Sequence, residues 1–435
     1  MTNSTSTPAA QDSLDDFRDF IAASPSSFHA ADEVARRLEH SGFTIHDEKD
    51  AWDAAPGGHV MVRGGAVMAW YVPEGAGAES AFRIVGAHTD SPGFSVKPNP
   101  DSTRSGWDQV AVEVYGGPII RSWFDRELTL AGRVVTRDGR ERLVSTGPIA
   151  RIPNLAIHLE RTNDFTPNLQ EHLQPILSAH DASAPAFSPV RTALATAADL
   201  RPEDIVSFEL ITADTQRGEY FGPDGQFFAA GRMDNLSSVY AGMRAMERAS
   251  ASAAQTSDVL VLAAFDHEEV GSASRAGAAG PILEDVLTRT GTALGMDTEA
   301  LRRSFTRSSC VSADAAHAVH PNYAAKHDAG HQPAIGLGPV TKINGKQRYA
   351  TDAVTRARWE SVCRDAGVPV QQFVGNNDVP CGSTIGPITA TRLGIPTVDV
   401  GVPMLSMHSA REMIGVDDQL WLEHALAAYF GATDH

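Results

Sequence analysis

Two textures of hydrophobic and polar positions alternate along the chain. From Leu14, the residues Phe17, Phe20 and Ile21 fall on one helical face. Ser24-Pro25-Ser26-Ser27 ends that helix and offers caps for a second, Ala30–Leu38, which stops near Gly42. Short apolar runs at Val60–Val62, Ala66–Val72 and Phe82–Ala87 predict strands, and the last leads directly into His88-Thr89-Asp90. Beyond Pro92 the texture changes. Val110–Tyr115, Leu128–Thr136, Leu143–Ser145, Leu155–Leu159 and Val206–Leu210 are strand-like pieces separated by glycine, proline and charge. Leu177–Ala198, rich in Ala, Ser and Pro, predicts a helix-loop excursion. After Gly231 helix and strand patterns alternate again: helix Asn235–Ala249, strand Val259–Phe265, helix Leu283–Thr288, a strand ending at Cys310–Ala313, helix Thr355–Ala366, strand Val398–Val400 and a closing helix Asp417–Phe430. This order predicts an α/β domain, residues 14–90 and 231–435, interrupted by a β-rich insertion at 91–230.

Val259–Phe265 is unbroken in its apolar character, as in a strand buried on both faces of a parallel sheet. It changes abruptly into Asp266-His267-Glu268-Glu269. Ligands of such sheets bind beyond the carboxyl ends of the strands, so this acid cluster falls where a site is expected, although a charged loop after a strand is often simply solvated. Adjacent glutamates on an extended strand would face opposite ways; Gly271 makes a turn easier, and a turn lets both face one place. Other strand ends carry compatible groups: His88-x-Asp90, Asp234 in Gly231-Arg-Met-Asp-Asn235, Asp314 in Ser312-Ala-Asp314, and His408 beyond Val398–Val400. Taken singly, Asp234 reads as a helix cap and His-x-Asp arises by chance. Together they offer oxygen and nitrogen ligands without thiolates, which suit zinc, manganese or cobalt, and a set this large suits two ions better than one. The one-metal signature H-E-x-x-H is absent.

Composition narrows the classes. The 435 residues are 42% hydrophobic and 21% charged, with a formal net charge of −18. That balance fills a large core and argues against nucleic acid or an anionic membrane as a partner. Three cysteines, Cys310, Cys363 and Cys381, support neither a disulfide framework nor a thiolate zinc site. No apolar run reaches membrane-spanning length, and the polar N-terminus lacks an apolar signal core, so a cytoplasmic protein is expected.

The ordered motifs Ser24-Pro-Ser-Ser-Phe-His29, Gly86-Ala-His-Thr-Asp-Ser-Pro-Gly93, Trp123-Phe-Asp-Arg-Glu-Leu-Thr-Leu-Ala-Gly132, Leu155-Ala-Ile-His-Leu159, Asp234-Asn235, Glu268-Glu-Val-Gly-Ser272, Ser312-Ala-Asp314, His317-Ala-Val-His-Pro-Asn-Tyr323, Gln347-Arg-Tyr-Ala350, Pro380-Cys-Gly-Ser-Thr-Ile-Gly-Pro387 and Met407-His-Ser409 resemble those of the aspartyl aminopeptidases, di-zinc exopeptidases related to vacuolar aminopeptidase I. The resemblance covers nearly the whole chain. It implies a zinc-peptidase-like catalytic domain with a central mixed sheet flanked by helices, and an inserted β-rich dimerisation or lid domain. It implies two divalent ions, zinc in both places, held by His88, Asp234, Glu269, Asp314 and His408, with Asp234 bridging and followed by a cis peptide. Glu268 would be the general base and Asp90 would orient His88. His158 would reach a neighbouring subunit's site and stabilise the transition state; His88, His158 and His408 also read as a three-histidine zinc site. Lys342, with Tyr349 nearby, would recognise an acidic N-terminal side chain of a peptide substrate. Two positions depart from the pattern: Asn154 stands where relatives often have histidine, and Asn376 where many have arginine, which opens the pocket to neutral residues. Dimers assembling into a dodecamer are implied. Two other readings stand beside this one: a di-metal N-acyl amino-acid deacylase or amidase of the same broad fold, and a non-catalytic assembly protein.

Overall fold

A computed structural model of the chain describes residues 8–161, 164–181, 188–252, 254 and 256–432. At its centre runs the strand Val259–Phe265, buried at every residue. Alternate side chains of a strand face opposite ways. Accordingly Leu260, Leu262 and Ala264 join one core, and Val259, Val261, Ala263 and Phe265 join another. The helices Ser27–His40, Met233–Ala251 and Val416–Phe430 cover the first face. Ile282–Ala293, Thr298–Arg307 and Ile385–Leu393 cover the second. Sequence supplies their starts: Ser26 Oγ accepts the His29 N–H, and Asp297 accepts that of Ala300.

The described strands of this central sheet number nine, in the order Thr44–Ile45, Gly57–Arg63, Ala66–Val72, Val259–Phe265, Phe82–His88, Ser309–Ala313, Thr397–Gly401, Val340–Ile343 and Gln371–Val374. The four from Val259–Phe265 to Thr397–Gly401 run parallel, so their carboxyl ends share one edge. Ala66–Val72 and Val340–Ile343 flank them antiparallel, which makes the sheet mixed. In this register Phe265 stands beside His88.

Between Gly93 and Asp214 the chain forms a second body. The strands Gly93–Arg104, Trp107–Tyr115, Ile176–Ala179, Ala150–Arg151, Glu127–Thr136 and Ile205–Asp214 pair in sequence, and the last also pairs with the first. The result is a closed ring filled by Phe94, Val110, Trp123, Leu128, Leu130 and Leu210; closure leaves few open edges. The hairpin Glu219–Phe221 and Phe227–Ala230 pairs elsewhere, with Glu412–Gly415, in a small sheet that also holds Pro403–Leu405 and Ala316–His317.

Three local differences from the sequence reading have physical causes. Leu155–Leu159 is not a strand but an exposed loop and turn: Leu155, Ile157 and Leu159 are 59%, 64% and 74% exposed, with no core to bury an apolar face. The excursion over Leu177–Ala198 divides into the strand Ile176–Ala179 and the helix Pro189–Ala198, capped by Ser188; residues 182–187 lie outside the described ones. Val340–Ile343 and Gln371–Val374 are four-residue strands, too short to show a period of their own. Among the described residues no helix is long and apolar enough to cross a membrane.

Candidate active site

The carboxyl edge of the parallel strands gathers the side chains singled out above. His88 ends Phe82–His88, and Asp314 follows Ser309–Ala313. Beyond Val259–Phe265 the chain turns sharply: His267 adopts a left-handed conformation (φ 63°), Glu268–Val270 make a single 3-10 turn, and Gly271 (φ 97°) closes it. The turn brings ligand atoms of Glu268 and Glu269 together with His88. Asp234 enters at the start of Met233–Ala251, after the left-handed Arg232, and its peptide bond to Asn235 is cis. His408 arrives by a different route from the one its sequence neighbours indicate. It follows Pro403–Leu405 of the small sheet, and its own φ is 66°. Positive φ costs a non-glycine residue of order 1–3 kcal/mol, and three such residues adjoin one site.

Asp234 lies in the middle. Its Oδ1 is 3.4 Å from His88 Nε2 and its Oδ2 is 3.4 Å from His408 Nε2. His88 Nε2 is 3.7 Å from Asp314 Oδ1, and His408 Nε2 is 3.3 Å from Glu269 Oε2. Two sets therefore share one carboxylate: His88, Asp234 and Asp314, and Asp234, Glu269 and His408, with ligand atoms within 4.8 Å of one another in each. Two ligands about 2.0–2.1 Å from a tetrahedral zinc stand about 3.3 Å apart; three of the four pairs lie at 3.3–3.4 Å and the fourth at 3.7 Å. The residues fit a cation on a second count. Asp234 Oδ1 and Glu269 Oε1 are buried and lack a hydrogen-bond partner, an arrangement costly for a carboxylate unless a positive charge answers it.

The proton affinities reflect the same crowding. Burial and the charge of Asp234 hold Glu269 well above the usual carboxylate range. Burial, with the carboxylates of Asp314, Asp234 and Asp90, pushes Glu268 up to about 7. Burial alone would lower the imidazoles. Contact with Asp234, Asp314 and Asp90 instead raises His88, and Asp234 with Glu269 raises His408 to about 10. Cations bound among these groups would compete with protons for them.

Asp90 is not among the ligand sets. Its Oδ1 accepts the Glu268 N–H at 3.0 Å and its Oδ2 that of Glu269 at 3.2 Å, while its carbonyl lies 2.9 Å from His88 Nδ1. That contact fixes the His88 tautomer and leaves Nε2 to face Asp234. Lys342 is buried. Its Nζ donates to the Ala315 carbonyl at 3.0 Å, lies 3.4 Å from Asp314 Oδ2 and sits 5.2 Å from the centre of the Tyr349 ring. Asn376 donates from Nδ2 to the Ala325 and His327 carbonyls and so braces a loop. Asn154 donates to Asp125. His158 is exposed in the turn 157–159 and joins neither set; a three-histidine site with His88 and His408 is not formed within this chain.

Sequence reasoning missed Glu412, which is fully buried. Its Oε2 accepts the N–H of Asp234 at 3.0 Å and its Oε1 that of His408 at 2.8 Å. One carboxylate thus ties together two segments that carry ligand atoms. No local signal marks it, because both partners are backbone groups and one is 178 residues away.

A family model described as Aminopeptidase I zinc metalloprotease (M18) matches residues 20–430. The chain is 49% identical over 423 residues to a Streptomyces coelicolor protein called probable M18 family aminopeptidase 2, spanning 95% of this chain and 96% of that one. It superposes on a chain in the cryo-EM structure of the Ape4 and Nbr1 complex with a TM-score of 0.95 at 35% identity, covering 99% of this chain and 87% of the other. A structure of the S. cerevesiae mApe1 dodecamer aligns with a TM-score of 0.84 at 26% identity, covering 97% of this chain and 96% of that one.

Glu412→Gln replaces one acceptor oxygen with a donor facing a backbone N–H. Loss of such a supporting group typically costs about 10–100-fold in metal affinity. Competition with a chelating dye should show that loss for zinc, whereas wild-type affinity would remove Glu412 from the site.

Proposed function

This chain belongs to the M18 family of zinc aminopeptidases, and we propose that it removes N-terminal residues from peptides, acidic ones by preference, at a centre of two zinc ions. The observation that carries this reading is the shared carboxylate of Asp234, flanked at 3.4 Å by His88 on one side and His408 on the other. His88, Asp234 and Asp314 would hold one ion, and Asp234, Glu269 and His408 the other. Two such ions supply Lewis acidity, polarising the scissile carbonyl and lowering the proton affinity of the attacking water.

Glu268 is left for proton transfer. Its Oε2 stands 4.0 Å from His88 Nε2, beside both ligand sets, where a carboxylate can take the proton of the attacking water and deliver it to the leaving amine. Asp90 grips the backbone N–H of Glu268 and so aims it. For the acidic side chain, Lys342 is the cation at hand. An ammonium has three donors; Ala315 and Asp314 engage two, which leaves one for a substrate carboxylate. Asn376 adds no positive charge, so the preference for acidic residues rests on Lys342 and neutral residues are accepted at a lower rate.

Self-association completes the site in this reading. The loop around His158 exposes Leu155, Ile157 and Leu159 together. A second copy covering that loop would bury it and bring His158 toward the partner's centre, where an imidazole stabilises developing negative charge. A dodecamer like that described for mApe1 would provide such contacts.

Steady-state kinetics on Asp-, Glu-, Ala- and Leu-terminated substrates, with N-acyl amino acids alongside, test this assignment. Glu268→Gln should keep its zinc and lose about 10²–10⁴-fold in kcat; near-normal turnover would remove Glu268 as the base. Lys342→Ala should lower kcat/KM for Asp and Glu substrates by about 10–100-fold, the size of one charged hydrogen bond. Equal losses on all substrates would assign Lys342 to Asp314 alone.

A further inference from the structure

The inserted barrel touches the centre through one strap, Tyr115-Gly116-Gly117-Pro118-Ile119, at the end of the strand Trp107–Tyr115. The Tyr115 hydroxyl donates to Asp90 Oδ2 at 2.8 Å. Gly116 is left-handed (φ 69°), and a Cβ there would stand 3.2 Å from the Glu269 Cβ, so the strap lies directly on that glutamate. At the next residue, the Gly117 carbonyl lies 3.0 Å from His408 Nδ1, and the Ile119 N–H donates to the His408 carbonyl at 2.8 Å. The barrel therefore supports both ligand sets.

Asp90 is where this support concentrates. Its Oδ2 has two donors, the Tyr115 hydroxyl at 2.8 Å and the longer Glu269 N–H at 3.2 Å. Its Oδ1 has the Glu268 N–H, with His88 Nδ1 at 3.4 Å. Without the phenol, Oδ2 keeps only the longer Glu269 N–H. The carboxylate is then held less firmly against the turn that carries Glu268 and Glu269, and its 3.4 Å contact with His88 Nδ1 loosens with it.

We propose that Tyr115 is a positioning residue for the metal centre, through which the inserted barrel fixes Asp90 and with it His88 and the glutamate turn. The proposal rests on the two-ion reading above. It makes the barrel part of the catalytic apparatus as well as a separate body.

The test is Tyr115→Phe in the full-length protein, beside Arg133→Ala. The Arg133 guanidinium of the barrel lies 4.6 Å from the centre of the Phe28 ring on the helix Ser27–His40, a docking contact that involves neither Asp90 nor the strap. The metal-free proteins are titrated with zinc, and kcat and KM are measured after reloading. Tyr115→Phe is expected to weaken at least one zinc-binding step by about 10–100-fold and to lower kcat with KM within about twofold, at an unchanged thermal midpoint. Arg133→Ala is expected to leave zinc binding unchanged. Wild-type zinc affinity and kcat in Tyr115→Phe would overturn the proposal, as would equal losses in Arg133→Ala, which would trace the effect to loosened docking. Failure of the two-ion reading is separately visible, because the wild-type protein itself would then take up fewer than two zinc ions per chain.

Discussion

Repulsion among buried carboxylates is the constraint on which the site depends. Asp90, Asp234, Glu268, Glu269 and Asp314 converge on two imidazoles at one edge of the central sheet. Burial removes the water that would otherwise screen them, so each raises the proton affinity of its neighbours, as Glu268 and Glu269 show. Such a cluster persists only when rigid elements hold it and a positive charge offsets it. Four parallel strands supply the rigidity. Glu412, Asp90 and the barrel strap hold the segments that no strand carries. The chain belongs to a family of zinc aminopeptidases, and zinc bound here would supply the charge.

The central strand and its acid turn were legible in the sequence because one structural cause dominates there. An unbroken apolar run has no solvent face to reveal, and its abrupt end in Asp266-His267-Glu268-Glu269 marks the sheet edge. His88 and Asp314 were legible for the same reason. Asp234 and His408 were found as residues, but their positioning was not legible: His408 reaches the centre through a small sheet built from three distant pieces of chain. Glu412 and Tyr115 left no local trace, since what matters is the backbone or carboxylate they meet far along the chain. Leu155–Leu159 misled in the other direction. Its apolar residues match a strand, yet they face outward from the chain that carries them, and the pattern of one chain does not distinguish a core from a surface that a second copy covers.

Lys342 shows how the structure changes a role without moving a residue. As an isolated lysine it would be a simple counter-charge for an acidic substrate. Buried against Asp314 and the Ala315 carbonyl, it also steadies Asp314. Under the proposed function, recognition and catalysis would then be linked through one ammonium, with the specificity pocket directly against the reacting groups.

The central claim is that Asp234 lies between two cations. Anomalous diffraction at the zinc edge from crystals of the zinc-loaded protein tests it most directly. Two peaks per chain are expected, one beside His88 and Asp314 and one beside His408 and Glu269, on either side of the Asp234 carboxylate. A single peak, or a pair that leaves Asp234 unligated, would contradict the account.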